Sequence, residues 1–363
     1  MSWSWTLYRY LARQFLLGVA MIFTAFLVLA FSIDIVDLIN RTAGRGVGSL
    51  VVVGMALLQL PELAQRLLPF CVLLGGVYCF VRLSRSQELV ATRAAGVSAW
   101  DFLVPPLAVA MAIGVIHVLA VTPISSRMLA QFSALEAKYI KGEASQLSIS
   151  SNGLWLRQGD RNQQSVIHAL TVSDQGVRLD NVIVFLYGPN DQVAGRIDAK
   201  SAQLTTGAWL LRNAWVSGPD GRAVHFDRYD LKTTLTPAQI QESFAPPDTL
   251  SFWELPHFIR AAQSAGFSAV RYKLYLYALL TLPALFAAMV FMAASFSLKL
   301  SRAGGIGRVV LISALSGFGV YFFSEMTTAL GRSGILPVAL AATAPAAAAI
   351  LIGMTLVFHQ EDG

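Results

Sequence analysis

The stretch RLSRSQELVATRAAGVSAWD, residues 82–101, is a basic polar loop between two long apolar segments, so a membrane organises the chain around it. The spacing predicts a short helix over about 84–95. Ser84 with Gln87 fits a capping box, Gly96 is placed to end the helix, and Ser98 with Asp101 caps the next one. Glu88 then stands mid-helix among Arg82, Arg85 and Arg93, a carboxylate held on a rigid element beside the membrane. That suits a contact for a soluble partner that pushes on the helix. A solvated charged loop that merely obeys the positive-inside rule fits the same residues.

Working outward, 363 residues with 55% hydrophobic, 13% charged and a mean hydropathy of +0.58 make an integral membrane protein. The net charge of +6 does not point to nucleic acid, because the Lys and Arg cluster beside apolar spans, where membrane orientation accounts for them. Cys71 and Cys79 share one apolar segment at a spacing that favours packing over pairing, and His117, His168, His225, His257 and His359 are scattered without ligand spacing. No disulfide framework or metal site is expected. The basic start RYLARQ (9–14) precedes an apolar run, Phe15 to Ile33, of about 20 residues, enough to cross a bilayer and longer than a signal-peptide core of roughly 7 to 15.

Five further apolar segments fall near 62–83, 101–123, 273–298, 308–329 and 336–358, with residues 50–60 read as an interfacial helix leading into the second. The expected class is an integral membrane α-helical protein of six transmembrane helices with an inserted all-β domain. Its divisions are 1–123, 124–271 and 272–363. Arg9, Arg13, Arg82, Arg85, Arg93, Lys299, Arg302 and Arg308 fall on one side against Arg41, Arg45 and Arg332 on the other. Both termini are therefore expected in the cytoplasm and the central domain outside, in the periplasm of a Gram-negative cell. In that domain turn signals at 152–153, 159–162, 173–176, 188–191 and 217–221 separate short runs such as VRLDNVIVFLY and AQLTTGAWLLRNAWV, the pattern of a sandwich, jelly roll or barrel. Thr236-Pro237 opens an expected helix, and SFWE (251–254) caps another that ends near Gly266.

No phosphate loop, nucleophile elbow, HExxH or paired catalytic carboxylate occurs, so the chain is not expected to be an enzyme and no catalytic or metal residue is assigned. The glycine cluster RAGGIGR (302–308) reads as a tight turn. Ionisable residues gather at the outer ends of the spans: Asp34, Asp37, Arg41 and Arg45, then Glu62 and Arg66, and Glu325 late in the fifth span. In hydrocarbon such groups face a partner or a wet cavity. Glu62 and Arg66, four apart, also fit a plain pair on one helix face, and Glu325 is placed to meet Arg332 or a cation across a lumen.

The order of elements, together with SRSQELVATRAAGVS (84–98), LTPAQI (235–240) before LSFWELPHFIRAAQSAG (250–266), and GRSGILP (331–337), resembles the LptF/LptG permeases of lipopolysaccharide export over essentially the whole chain, with the last stretch nearer the LptG branch. The resemblance implies an ABC exporter subunit that extracts lipopolysaccharide from the inner membrane. It would pair with an LptF-like permease and an LptB-like ATPase dimer, and carry a periplasmic β-jellyroll that hands the lipid to LptC-like and LptA-like proteins. ATP and Mg would be held by the ATPase and no cofactor by this chain. By the same resemblance Glu88, with Arg85 and Arg93, forms the coupling helix seated on the ATPase. Lysines that the family places on lipid A phosphates correspond to Asp34, Asn40 and Glu62 here, and only Arg41 keeps the charge; Arg41, Arg45, Arg66 and Arg127, with Glu325, are the lipid-binding candidates by a shifted arrangement. The partner permease LptF, and an envelope scaffold that moves no lipid, are the alternatives.

Overall fold

The computed structural model describes residues 5–94, 96–136, 139–140, 147–150, 153–159, 164–173, 177–188, 192–218, 221–233, 235, 246–264, 268–303 and 305–361. The chain divides into two compact units, Met1–Ile140 with Lys273–Gly363, and Lys141–Tyr272.

The first unit is helical: α1 Trp5–Thr42, α2 Ser49–Arg85, α3 Glu88–Ala94, α4 Ala99–Ile116 and α5 Thr122–Glu136. After the inserted unit come α7 Val270–Ala303, α8 Ile306–Arg332 and α9 Val338–Glu361; α6 belongs to the insertion and is given below. Six stretches among the described residues are long and apolar enough to cross a membrane, with α4 and α5 counting as one. Three of these are 37 or 38 residues long. At ~1.5 Å per residue that is roughly 55 Å, far more than the ~30 Å hydrocarbon core requires. The excess is packed: Leu38 of α1, Val52, Met55 and Ala56 of α2, and Leu129 and Phe132 of α5 bury one another in a core of their own.

This packing corrects two expectations. Residues 50–60 are not a separate interfacial helix, because α2 runs unbroken through Pro61 and Pro69. The proline rings remove hydrogen bonds, yet the apolar face buried before Pro61 and after Pro69 keeps the chain helical. The third span likewise continues past 123. A π turn, His117–Val121, joins α4 to α5. Pro123, unable to bond back to the carbonyl four residues earlier and clashing with it, accounts for the widened turn. Thr122 restores order by donating to the His117 carbonyl (3.0 Å), so the inserted unit begins at Lys141 instead of 124.

The main core of this unit gathers Phe15, Leu73, Phe80, Leu103, Phe286 and Ala293 from α1, α2, α4 and α7. Where α1 crosses α2 the backbones touch. A Cβ on Gly18 would stand 2.7 Å from the Gly75 carbonyl oxygen, and one on Gly75 2.5 Å from the Val19 Cα. Only glycine fits there.

Among the described residues the second unit carries seven strands, β1 Leu147–Ser150, β2 Gly153–Gly159, β3 Gln164–Ser173, β4 Arg178–Tyr187, β5 Val193–Thr205, β6 Ala208–Ser217 and β7 Ala223–Lys232, each antiparallel to its neighbours in the order β1-β2-β3-β4-β5-β6-β7. AQLTTGAWLLRNAWV, read as one run, is a hairpin: Thr205 pairs with Ala208, and Gly207 turns the chain at φ 84. The sheet is also creased. One row, Leu170, Asn181, Lys200, Asn213 and Asp227, drops out of the pairing between β3 and β7, and both asparagines are left-handed (φ 53 and 55). On β4 and β6 the left-handed residue breaks strict strand alternation, so Leu179 and Val182, and Leu211 and Ala214, face the buried side; Ala199 and Ala202 on β5 between them are buried as well. Beyond the crease the sheet curls onto itself. Gln158 on β2 accepts from the Trp209 indole N–H on β6 (3.2 Å) and from the Thr233 hydroxyl (2.6 Å).

The expected capping box at Ser251 is present: the Ser251 N–H donates to the Glu254 carboxylate (2.9 Å) and the Glu254 N–H to the Ser251 hydroxyl (3.3 Å). It opens α6, Leu255–Ser264, which buries Leu255, Ile259 and Ala262 along one face. The helix expected at Thr236-Pro237 and the stop at Gly266 lie outside the described residues, as do most of the turn tips.

Candidate functional site

At one end of the helical unit the 82–101 loop folds differently from its expected caps. Ser84 belongs to the last turn of α2, whose buried face continues to Leu83, and Gln87 breaks the helix in a left-handed conformation (φ 60). The short helix α3 therefore starts at Glu88. Its end is as expected: Gly96 is left-handed (φ 85), and the Val97 N–H reaches back to the Thr92 carbonyl (3.3 Å), closing a Schellman motif. Ser98 then caps α4 by accepting from the Asp101 N–H (3.1 Å).

Glu88 is held on both oxygens. The Tyr10 hydroxyl of α1 donates to Oε2 (2.8 Å) and the Ser86 hydroxyl to Oε1 (2.8 Å). A carboxylate offers about four lone-pair sites, so it retains acceptor capacity for an incoming cation. Arg82 donates to the Gln14 side chain (3.3 Å), one turn along α1 from Tyr10. Arg85 is exposed, while the Arg93 side chain lies outside what is described. Trp100 at the start of α4 packs on Phe291 of α7 (6.3 Å) and Phe358 of α9 (4.4 Å), joining the start of α4 to the last turn of α9 and the body of α7.

The opposite end holds the other candidates. Arg41 bonds Asp37 (2.7 Å) and stands 3.9 Å from Glu136 of α5. Arg45, in the turn between α1 and α2, donates to the Ile140 carbonyl. Arg66 pairs with Glu62 on the same helix, the arrangement their spacing allowed. Arg127 is exposed on α5, and Glu325 is exposed on α8 without an ion pair to Arg332 among the described residues. Phe70 packs on Tyr321 (6.0 Å), so Arg66 and Glu325, each a turn further on, reach the same level of α2 and α8. Exposed ion pairs contribute only ~0.2–1 kcal/mol. The Arg41–Asp37 pair is exposed on both sides, so Arg41 can exchange it at little cost for a phosphate, which accepts two charge-assisted bonds, whereas Glu62 is largely buried and ties Arg66 more firmly. Asp34 has a buried Oδ2 with no hydrogen-bond partner among the described residues.

The family model for the lipopolysaccharide export system permease LptF/LptG matches residues 9–358. The chain belongs to this family. LptG permeases of Escherichia coli strain K12 and of strain O6:H1 are each 25% identical to it over 374 aligned positions, covering 97% of this chain and 98% of the relative. In this LptF/LptG chain the stretches that carried the resemblance lie at element boundaries: 84–98 joins α2 to α4, 250–266 holds the capping box and α6, and GRSGILP ends α8. There the Ile335 N–H returns to the Leu330 carbonyl (3.1 Å) around a left-handed Gly334 (φ 79).

Sequence reading found Glu88 but not Tyr10. The two are 78 residues apart, and a tyrosine near the start of a span reads simply as an interfacial aromatic. Gln158 escapes the sequence for a related reason: nothing local marks a strand-end glutamine as the acceptor for a tryptophan four strands away.

Proposed function

We propose that this chain is the permease subunit of an ABC exporter that extracts lipopolysaccharide from the inner membrane and passes it to a periplasmic bridge. ATP is hydrolysed, with Mg, in a separate LptB-like dimer, and this chain binds no cofactor. It pairs with an LptF-like permease, with both termini and α3 in the cytoplasm. The 141–272 unit stands in the periplasm as a jellyroll-like module that meets LptC-like and LptA-like proteins. The full-length relatives being LptG permeases favours this assignment over the partner permease and over a scaffold.

The observation that carries the mechanical part is α3. It is a short helix bounded by the left-handed Gln87 and Gly96, with Glu88 at its start and exposed Arg85 beside it. Such an element receives force as a unit. Glu88, Arg85 and Arg93 are assigned to the ATPase contact, and Arg41, Arg45, Arg66, Arg127 and Glu325 to the lipid cavity at the other end.

Glu88→Ala tests the coupling assignment, because truncating one partner of a buried charge pair costs about 2–5 kcal/mol. The variant should insert and pair with its permease partner, yet lose co-purified ATPase and lipid export; Glu88→Lys should be worse, repulsion being added. Normal ATPase recovery and export in both variants would remove Glu88 from the contact. A wild-type complex that brings down no ATPase would sink the exporter reading altogether.

A further inference from the structure

We propose that Tyr10 is a positioning residue that converts movement of α3 into rotation of the first span, a role that rests on the exporter reading above. Helix α3 is isolated at both ends by left-handed residues, Gln87 (φ 60) and Gly96 (φ 85). Backbone rotation there lets a seven-residue helix tilt without bending its neighbours. Two ties then pass its motion to α1. Leu89 is buried in the same core cluster as Leu11 and Phe15, and Glu88 accepts the Tyr10 hydroxyl (2.8 Å). The apolar tie has no direction of its own. The hydrogen bond does, since it requires the hydroxyl and the carboxylate to stay aligned.

What α1 does when its end is pulled follows from the glycine crossing. At Gly18 and Gly75 the two backbones touch with no side chain between them, so α1 can pivot on α2 there while their Cα positions stay in contact. Tyr10 lies eight residues on one side of Gly18, and Arg41 lies 23 residues on the other. At ~1.5 Å per residue the arms are roughly 12 Å and roughly 35 Å. A displacement at Tyr10 is thus enlarged about threefold at Arg41, in the opposite direction. Among the described residues Arg41 pairs there with exposed Asp37 and half-buried Glu136, and Leu38 packs on α2 and α5, so the swing carries that small core with it. Tyr10 in this scheme acts on the lipid end without touching lipid.

The test is Tyr10→Phe in the reconstituted permease–ATPase complex, reading both the ATPase recovered with the permease and the lipid extracted per ATP hydrolysed. ATPase recovery should match wild type, whereas lipid per ATP should fall about tenfold, the size set by losing one hydrogen bond to a charged group. Wild-type lipid per ATP in Tyr10→Phe, or a parallel fall in ATPase recovery, would each overturn the lever. Absence of lipid-dependent hydrolysis in the wild-type complex would instead overturn the exporter reading, and the lever with it.

Discussion

Gln158 and Trp209 are joined by a 3.2 Å hydrogen bond although three strands, β3, β4 and β5, separate them in the sheet. The bond is buried, and Trp209 is 1% exposed. It can form only because the crease at Asn181 and Asn213 lets the sheet close over its own apolar face.

That bond predicts a graded response. Trp209→Ala should cost about 3–5 kcal/mol, from a large cavity in the rolled sheet. Trp209→Phe keeps most of the volume and should cost about 1–2 kcal/mol, because Gln158 retains the Thr233 hydroxyl as a donor. Protease sensitivity of the 141–272 unit in the purified protein reports both; a Trp209→Phe protein as resistant as wild type would mean that the indole nitrogen contributes nothing, and equal sensitivity of the two variants that the ring volume contributes nothing.

At the α1–α2 crossing, Gly75→Ala should lower the melting temperature in detergent, with an overpacking cost of about 1–3 kcal/mol, since the new methyl would meet the Val19 backbone at 2.5 Å. Gly319 is the control. A Cβ there meets nothing within 4 Å, so Gly319→Ala should be neutral or raise stability slightly through helix propensity. A Gly75→Ala protein as stable as wild type would show that the helices can part without cost.

At the end of α1 proposed to meet lipid, Arg41→Ala and Arg45→Ala should each cost about 1 kcal/mol of stability or less, because the Arg41 guanidinium and its nearer partner Asp37 are exposed and Arg45 holds one backbone carbonyl. Lipid-stimulated ATP hydrolysis in the complex should nevertheless fall more than basal hydrolysis. Equal losses in both activities would assign these arginines to folding or topology.

Composition and periodicity alone were enough for the membrane class, because about 20 consecutive apolar residues have no other stable home. Ser98, Ser251 and Gly96 were legible as caps for an equally local reason: a cap is satisfied by backbone groups within four residues of it. Glu88 stood out as a carboxylate among arginines. The places where reading failed share one cause. The neighbours of Ser84 have the pattern of a helix start, while burial at Leu83 keeps α2 helical past it.

Residues 50–60 and the continuation through Glu136 became single long helices only because α1, α2 and α5 bury one another beyond the expected span ends. The crease across Asn181 and Asn213, the closure through Gln158, and the bond from Tyr10 to Glu88 belong to tertiary structure as well. Each depends on residues brought together from 32 to 78 positions apart. Local propensity is blind to such pairs, since their free energy exists only once the intervening chain is folded and the loop entropy between them has been overcome.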